Sequence, residues 1–209
     1  PLHVGRPGTV GNRTGNFAVQ YSDVLIVVGC RLNIRRIGYN YQSFADASWK
    51  CHVDIDHSEL SKKTLSFDLG IHSDASLFFS SLDRSLSSHA SPNHFMSLQW
   101  SSKLKFYLSK FDVYDSPSVD SKFVDLYYFL YKLSLFIPCD SSIVCADGSA
   151  CVATFQSFLI KSGQRLFHNS GCASMGYELP ASIGAYYASQ KTTYCIAGDG
   201  SIMMNLQDL

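Results

Sequence analysis

Two stretches of this chain run from strand-like sequence into the same kind of turn. Thr193-Tyr-Cys-Ile-Ala leads into Gly198-Asp199-Gly200-Ser201, and Ser142-Ile-Val-Cys-Ala leads into Asp147-Gly148-Ser149. Glycine lets the backbone turn tightly and approach a ligand closely. Ile202-Met-Met-Asn-Leu-Gln-Asp-Leu209 then reads as the start of a helix. Strand, glycine turn and helix start together present backbone N–H groups to a phosphate. Asp199 adds a hard oxygen ligand, and a carboxylate beside a phosphate makes sense with Mg2+ between them. Taken singly, each turn also reads as an ordinary βα turn with a surface Asp. In one parallel sheet, however, both turns would stand at the same edge, where ligands of open α/β sheets bind.

The remaining sequence fits that architecture. Ser22-Asp-Val-Leu-Ile-Val-Val-Gly29 is a continuous apolar run ending in glycine, the pattern of a buried parallel strand. A second strand over 50–54 ends in Asp54-Ile-Asp56. Asp54 follows Gly29 at about the spacing at which an acidic residue meets a ribose in dinucleotide folds. Turn formation and capping of a helix over 58–63 explain Asp54 and Asp56 equally well. A short helix is expected at 16–21, a strand at 67–73, and a helix capped by Asp74 that runs to about Ser88. Residues 87–93 read as a polar linker. A helix over 95–111 carries Met96, Trp100, Leu104, Tyr107, Leu108 and Phe111 on one face, a stripe read as core. An aromatic-rich helix over 123–136, a helix over 150–161, a short strand at 165–169 and a helix to about Ser189 complete the order. The fold class is therefore α/β, with two parallel-sheet, Rossmann-like (doubly wound) domains, the second truncated. The expected boundaries are 1–90, a linker and connecting helix over 91–120, and 121–209.

Composition narrows the function classes. Apolar residues make up 46% and charged residues 16%, with zero net charge. That balance supports a globular core and offers nothing to nucleic acid or an anionic membrane. No apolar run reaches the ~20 residues of a membrane span. The seven cysteines show no C-x-x-C pairing and read as reduced thiols of a cytoplasmic protein. The seven histidines are scattered without metal-ligand spacing. His168, the one near the proposed site, reads as structural. Ser149, Ser174 and Ser201 lack a triad-like context and read as donors, not nucleophiles. The chain opens on Pro1 and stops soon after a helix begins, so a piece of a longer protein is expected.

These residues resemble the thiamine-diphosphate-dependent enzymes, most closely those of the acetolactate synthase type. Gly198-Asp-Gly-Ser201 with Met204-Asn-Leu-Gln-Asp-Leu209 looks like the opening half of the family's cofactor motif. Gly171-Cys-Ala-Ser-Met-Gly-Tyr-Glu-Leu-Pro-Ala-Ser-Ile-Gly-Ala185 is similar to the family segment G-x-G-x-M-G-x-x-L-P-A-x-x-G-A. It departs at Ala173, where Gly is usual, and at Glu178, usually Gly or Ala. Pro1-Leu2 through Gly15-Asn-Phe-Ala-Val-Gln20, then 23–31, resembles the central domain.

The resemblance implies a pyrimidine-binding domain that holds the catalytic Glu, a central domain and a diphosphate-binding domain. This chain would hold most of the second and the first half of the third. Asp199 would be a Mg2+ ligand, and Gly198, Gly200 and Ser201 would line the diphosphate. Gly148 and Ser149 would form the other diphosphate turn, where relatives carry Gly-Gln-His. Met175 would be the apolar wedge that keeps the cofactor bent, next to Ser174, and Ala173 would offer its carbonyl to the aminopyrimidine. The implied reaction takes up a 2-keto acid such as pyruvate, releases CO2 and adds the remainder to a second carbonyl. Keto acid, aldehyde and keto-sugar acceptors all stay open. Several relatives also bind FAD, and Arg31 and Asp54 match positions that would contact it. Asn33 stands where Asp is common there, and Val10 where His is common. A homodimer or homotetramer is expected of the whole protein. A nucleotide-binding module and a non-catalytic remnant are the competing readings. The first explains residues 1–90 but neither Asp-Gly-Ser turn.

Overall fold

Apolar runs that end in glycine or aspartate become two small parallel sheets. A computed structural model describes residues 3–89, 98–111, 122–146, 148–169 and 171–209. Asp147, Met96, most of the 87–93 linker with Pro92, and the loop at 114–120 lie outside the described residues. The chain forms two compact units, Pro1–Phe111 and Asp112–Leu209.

In the first unit, α1 (Arg13–Gln20) leads to β1 (Val24–Val28), α2 (Ile34–Ile37), β2 (Trp49–Asp54), α3 (His57–Leu60), β3 (Leu69–His72), α4 (Ala75–His89) and α5 (Leu98–Lys110). The strands order β1-β2-β3, all parallel, with Val28 opposite Val53 and Asp54 opposite His72. Side-chain caps set the helix starts. Asn12 Oδ1 accepts from the Gly15 N–H, Asp56 Oδ1 from Ser58 and Asp74 Oδ1 from Ser76. Each satisfies an N–H that the helix cannot pair. The aromatic stripe of α5 packs against α1, with the Phe17 ring 5.0 Å from Tyr107 and 5.2 Å from Phe111. Packing therefore groups α5 with the first unit. Leu108 on the same helix stays exposed.

The second unit runs α6 (Leu126–Phe136), β4 (Ser141–Cys145), α7 (Ser149–Ser157), β5 (Arg165–Phe167), α8 (Glu178–Ser189), β6 (Thr192–Ile196) and α9 (Asp199–Ile202), then a 3-10 segment, Met203–Asp208. The order is β5-β4-β6, all parallel, with β4 central and fully buried. Two three-stranded parallel sheets with intervening helices are the α/β class read from the sequence. Ile143, Ile137 and Phe158 form the core, joined by Leu133, Leu166, Tyr194 and Ile196. The aromatic helix α6 begins at Leu126 because Asp125 caps it, accepting from the Tyr128 N–H. It buries Leu130 and Ser134 rather than its phenylalanines, and Phe136 is 82% exposed. No helix among the described residues is long and apolar enough to cross a membrane.

Candidate functional site

The parallel register of β4 and β6 pairs Cys145 with Ile196, the last residue of each strand. Both chains therefore leave the sheet at the same edge and on neighbouring strands. After β4, the backbone turns at Gly148, whose φ of +96° is open to glycine. Nothing lies within 4 Å of where its Cβ would point. Ser149 follows as the first residue of α7, whose first-turn N–H groups have no partner within the helix. After β6, Gly198 precedes α9, with Asp199 and Gly200 exposed. Two bare backbone turns beside one exposed carboxylate are a donor set that suits a diphosphate with a divalent cation. Asp199 Oδ1 accepts from the Gly200 N–H at 2.8 Å, so carboxylate and turn are already tied together. No group of three or more His, Cys, Asp or Glu is gathered for a metal among the described residues.

The loop after β5 reaches the same edge of the sheet. Ala173 sits in the left-handed region at φ +56° and donates its N–H to the Asn169 carbonyl at 2.7 Å. That conformation explains why glycine suits the position. Ser174 is exposed, and Met175 is 61% exposed, an apolar side chain standing in solvent. The next residue, Gly176, is buried and held twice. Its N–H donates to Ser201 Oγ at 2.8 Å, and its carbonyl accepts from Asn205 Nδ2 at 2.7 Å. The Ser201 hydroxyl is thus turned into the protein, next to the turn that carries Asp199. His168 packs edge-on against Phe155, with ring centroids 4.5 Å apart.

Glu178, the first residue of α8, is only 1% exposed, and neither carboxylate oxygen has a hydrogen-bond partner. It lies near Cys195 of β6, an exposed residue whose sulfur is still partly shielded from water. That shielding pushes the thiol up, as Glu178 does more weakly, against a Ser182 hydrogen bond that lowers it. The seven cysteines are thiols, with Cys51, Cys145 and Cys151 buried and Cys139, Cys172 and Cys195 exposed.

In the first unit, Arg31 and Asp54 lie at the corresponding edge of the other sheet. Asp54 is buried and accepts from the Asp56 N–H at 2.9 Å, the turn role open to it from the sequence. Arg31, 77% exposed, gives its Nε to Glu59 Oε1 at 2.9 Å. Glu59 is buried and also pairs with Lys62. The Lys62 hydrogen bond, with Arg31, holds the Glu59 carboxyl below its usual range despite burial. The structure thus brings the second-unit candidates to one edge and the Arg31–Asp54 pair to another. Three residues with no role from the sequence join them. Asn205 lay inside a quoted motif and Glu178 stood out as a departure, whereas Glu59 gave no local signal.

Comparison with known proteins agrees with this geometry. The family model described as "Thiamine pyrophosphate enzyme, central domain" matches residues 1–82, and "Thiamine pyrophosphate enzyme, C-terminal TPP binding domain" matches residues 147–209. The two cover more than half of the chain, which belongs to the thiamine diphosphate (thiamine pyrophosphate) enzyme family, acetolactate-synthase-like. It is 30% identical to the acetolactate synthase isozyme 2 large subunit of Escherichia coli K12, over 100% of this chain and 36% of that protein. Identity is 31% to the acetolactate synthase large subunit of Buchnera aphidicola subsp. Schizaphis graminum, covering 97% and 34% respectively. A probable acetolactate synthase large subunit of Methanococcus aeolicus is 30% identical over 100% and 36%. The chain thus spans about a third of the length of these relatives.

Proposed function

We propose that the protein carrying this chain is a thiamine-diphosphate- and Mg2+-dependent carboligase or decarboxylase, a transferase or lyase acting on a 2-keto acid such as pyruvate. The supporting observation is the shared edge of β4 and β6, which sets the Gly148 turn beside the Asp199 turn. In this reading, Gly148, Ser149, Gly198, Gly200 and Ser201 line the diphosphate, chiefly through backbone. Asp199 carries the cation, because a carboxylate beside diphosphate oxygens would otherwise repel them. At ~4 Å and an effective dielectric of ~20, that repulsion is about 4 kcal/mol per charge pair. Met175 holds the organic part of the cofactor in place, with Ala173 and Ser174 supplying the polar loop around it. Thiamine diphosphate, when bound, would supply the carbanion chemistry for the keto acid. The homodimer or homotetramer and the cytoplasmic location belong to this proposal. FAD at Arg31 and Asp54 is a further cofactor in the same reading. It has the sheet edge in its favour and Glu59, which already holds the guanidinium, against it.

The test is a calorimetric titration of the full protein with thiamine diphosphate at several MgCl2 concentrations, with Asp199→Ala alongside. Wild type should bind with an affinity that rises with Mg2+. The variant, altered at an exposed turn, should fold and lose that dependence. Unchanged Mg2+-dependent affinity in the variant would remove the metal role and the main support for this function.

A further inference from the structure

The Met175 loop and the Asp199 turn belong to different βα connections, yet they meet at one residue. Gly176 directly follows Met175, and both of its backbone polar groups are taken by side chains from the segment after Asp199. Ser201 accepts its N–H and Asn205 donates to its carbonyl. Both polar atoms of the Asn205 amide are in use, because its Oδ1 accepts from Gln207 Nε2 at 3.2 Å. The helical path also breaks at this residue. Asn205 has φ −128° and ψ 31° inside the 3-10 segment, a non-helical geometry. Its backbone leaves the helix at the point where its side chain crosses to Gly176. On the other side, Gly176 holds φ +83°, and a Cβ there would stand 2.9 Å from Asn205 Nδ2 and 3.0 Å from Met204 Cβ. The contact is thus close, polar on both groups and confined to glycine.

We infer that Asn205 is a positioning residue that couples the two loops, so that the conformation of the Asp199 turn sets the position of Met175. The inference rests on the cofactor reading for what Met175 meets, but the coupling is a property of this chain's own contacts. A turn that shifts on taking up an anion and a cation carries Ser201 and Asn205 with it. Gly176 must follow or lose both hydrogen bonds.

The test is amide hydrogen exchange of the full protein, read over 171–177, without ligand and with thiamine diphosphate plus MgCl2. Asn205→Asp keeps the shape but replaces the donor with an acceptor facing a carbonyl. Asn205→Ala, which brings no repulsion, serves where the Asp variant does not fold. Without ligand, exchange over 171–177 should quicken about tenfold, equivalent to ~1.4 kcal/mol, while the core strand β4 exchanges as in wild type. Ligand should slow exchange over 171–177 in wild type. In the variant it should still bind, with calorimetric affinity within about threefold of wild type, but no longer slow that segment. A purely structural role would not separate binding from the protection of 171–177. Wild-type exchange over 171–177 in the variant, or full protection by ligand, overturns the inference. Absence of binding in the wild-type protein sinks the cofactor reading instead, and the unliganded exchange rates then decide the coupling by themselves.

Discussion

Ser201 and Gly176, 25 residues apart, are joined by a 2.8 Å hydrogen bond that ties the turn after β6 to the loop after β5. Gly176 holds φ +83°, and its backbone also comes close to Asn205 and Met204; both features favour glycine. Gly176→Ala would place a Cβ in the left-handed region and against Asn205 and Met204. Left-handed backbone costs a non-glycine residue about 1–2 kcal/mol, and the crowding adds to that. The variant should lose about 2–3 kcal/mol, seen as a lower midpoint in urea. A loss under about 0.5 kcal/mol would mean that the loop rearranges freely and the close approach is not needed.

Ala173 tests the reverse substitution. It already occupies φ +56° with a side chain. Ala173→Gly removes a strain of about 1–2 kcal/mol and adds about 0.4–1 kcal/mol of unfolded-state entropy. Relief is the larger of the two, so the variant should gain about 0.5–1 kcal/mol. Chemical denaturation measures it, and a destabilised variant would show that the left-handed geometry at Ala173 carries no strain.

The strands and their order of appearance were legible because parallel strands announce themselves as apolar runs, as in 24–28 and 143–145. The glycine turns were legible as a pair, because two strand-like runs enter the same kind of Asp-Gly-Ser turn, whereas either turn alone reads equally as an ordinary βα turn. The site's internal wiring was not. Ser201 reads as a donor, yet its hydroxyl oxygen accepts from Gly176, because tertiary approach and not local sequence decides where a short side chain points. The contact of Asn205 is hidden for the same reason: its partner is a backbone carbonyl, which any residue supplies. The helix expected from Ile202 onward instead breaks at Asn205, the residue whose side chain crosses to the Gly176 carbonyl. On the aromatic-rich α6, Leu130 and Ser134 are the residues buried, and the sequence alone does not single them out.

The first unit carries a pH dependence at Glu59. Its carboxyl is held below the usual range by Lys62 and Arg31. A carboxyl depressed on folding contributes stability above its unfolded pKa, about 4.3, and loses it as pH falls through the folded value. At neutral pH, Glu59→Gln removes the anion between two cations and should destabilise the protein. As pH falls below about 4.3 the wild type begins to lose the same term, so the gap between the two proteins should narrow. Urea denaturation at pH 7 and at pH 3.5 measures the gap. A gap that stays constant between them would assign the Glu59 contribution to packing instead of charge.

Glu178 points the other way, toward a residue that costs stability where it stands. Its carboxylate is buried at 1% exposure without a hydrogen-bond donor. Burying an unsatisfied polar group costs about 1–3 kcal/mol, more when it is charged. Its position at the first turn of α8 returns only about 0.3–1 kcal/mol through the helix dipole. The cost exceeds the return. Glu178→Met keeps the length and flexibility of the side chain, fills the same space with apolar atoms and retains a good helix former. The variant should therefore gain about 1–2 kcal/mol, read as a higher urea midpoint with an unchanged slope. Glu178→Gln keeps the polarity and should gain less than Met. If Met lowers stability while Gln does not, the carboxylate has a polar partner in the folded protein, and Glu178 belongs to the wiring of the site.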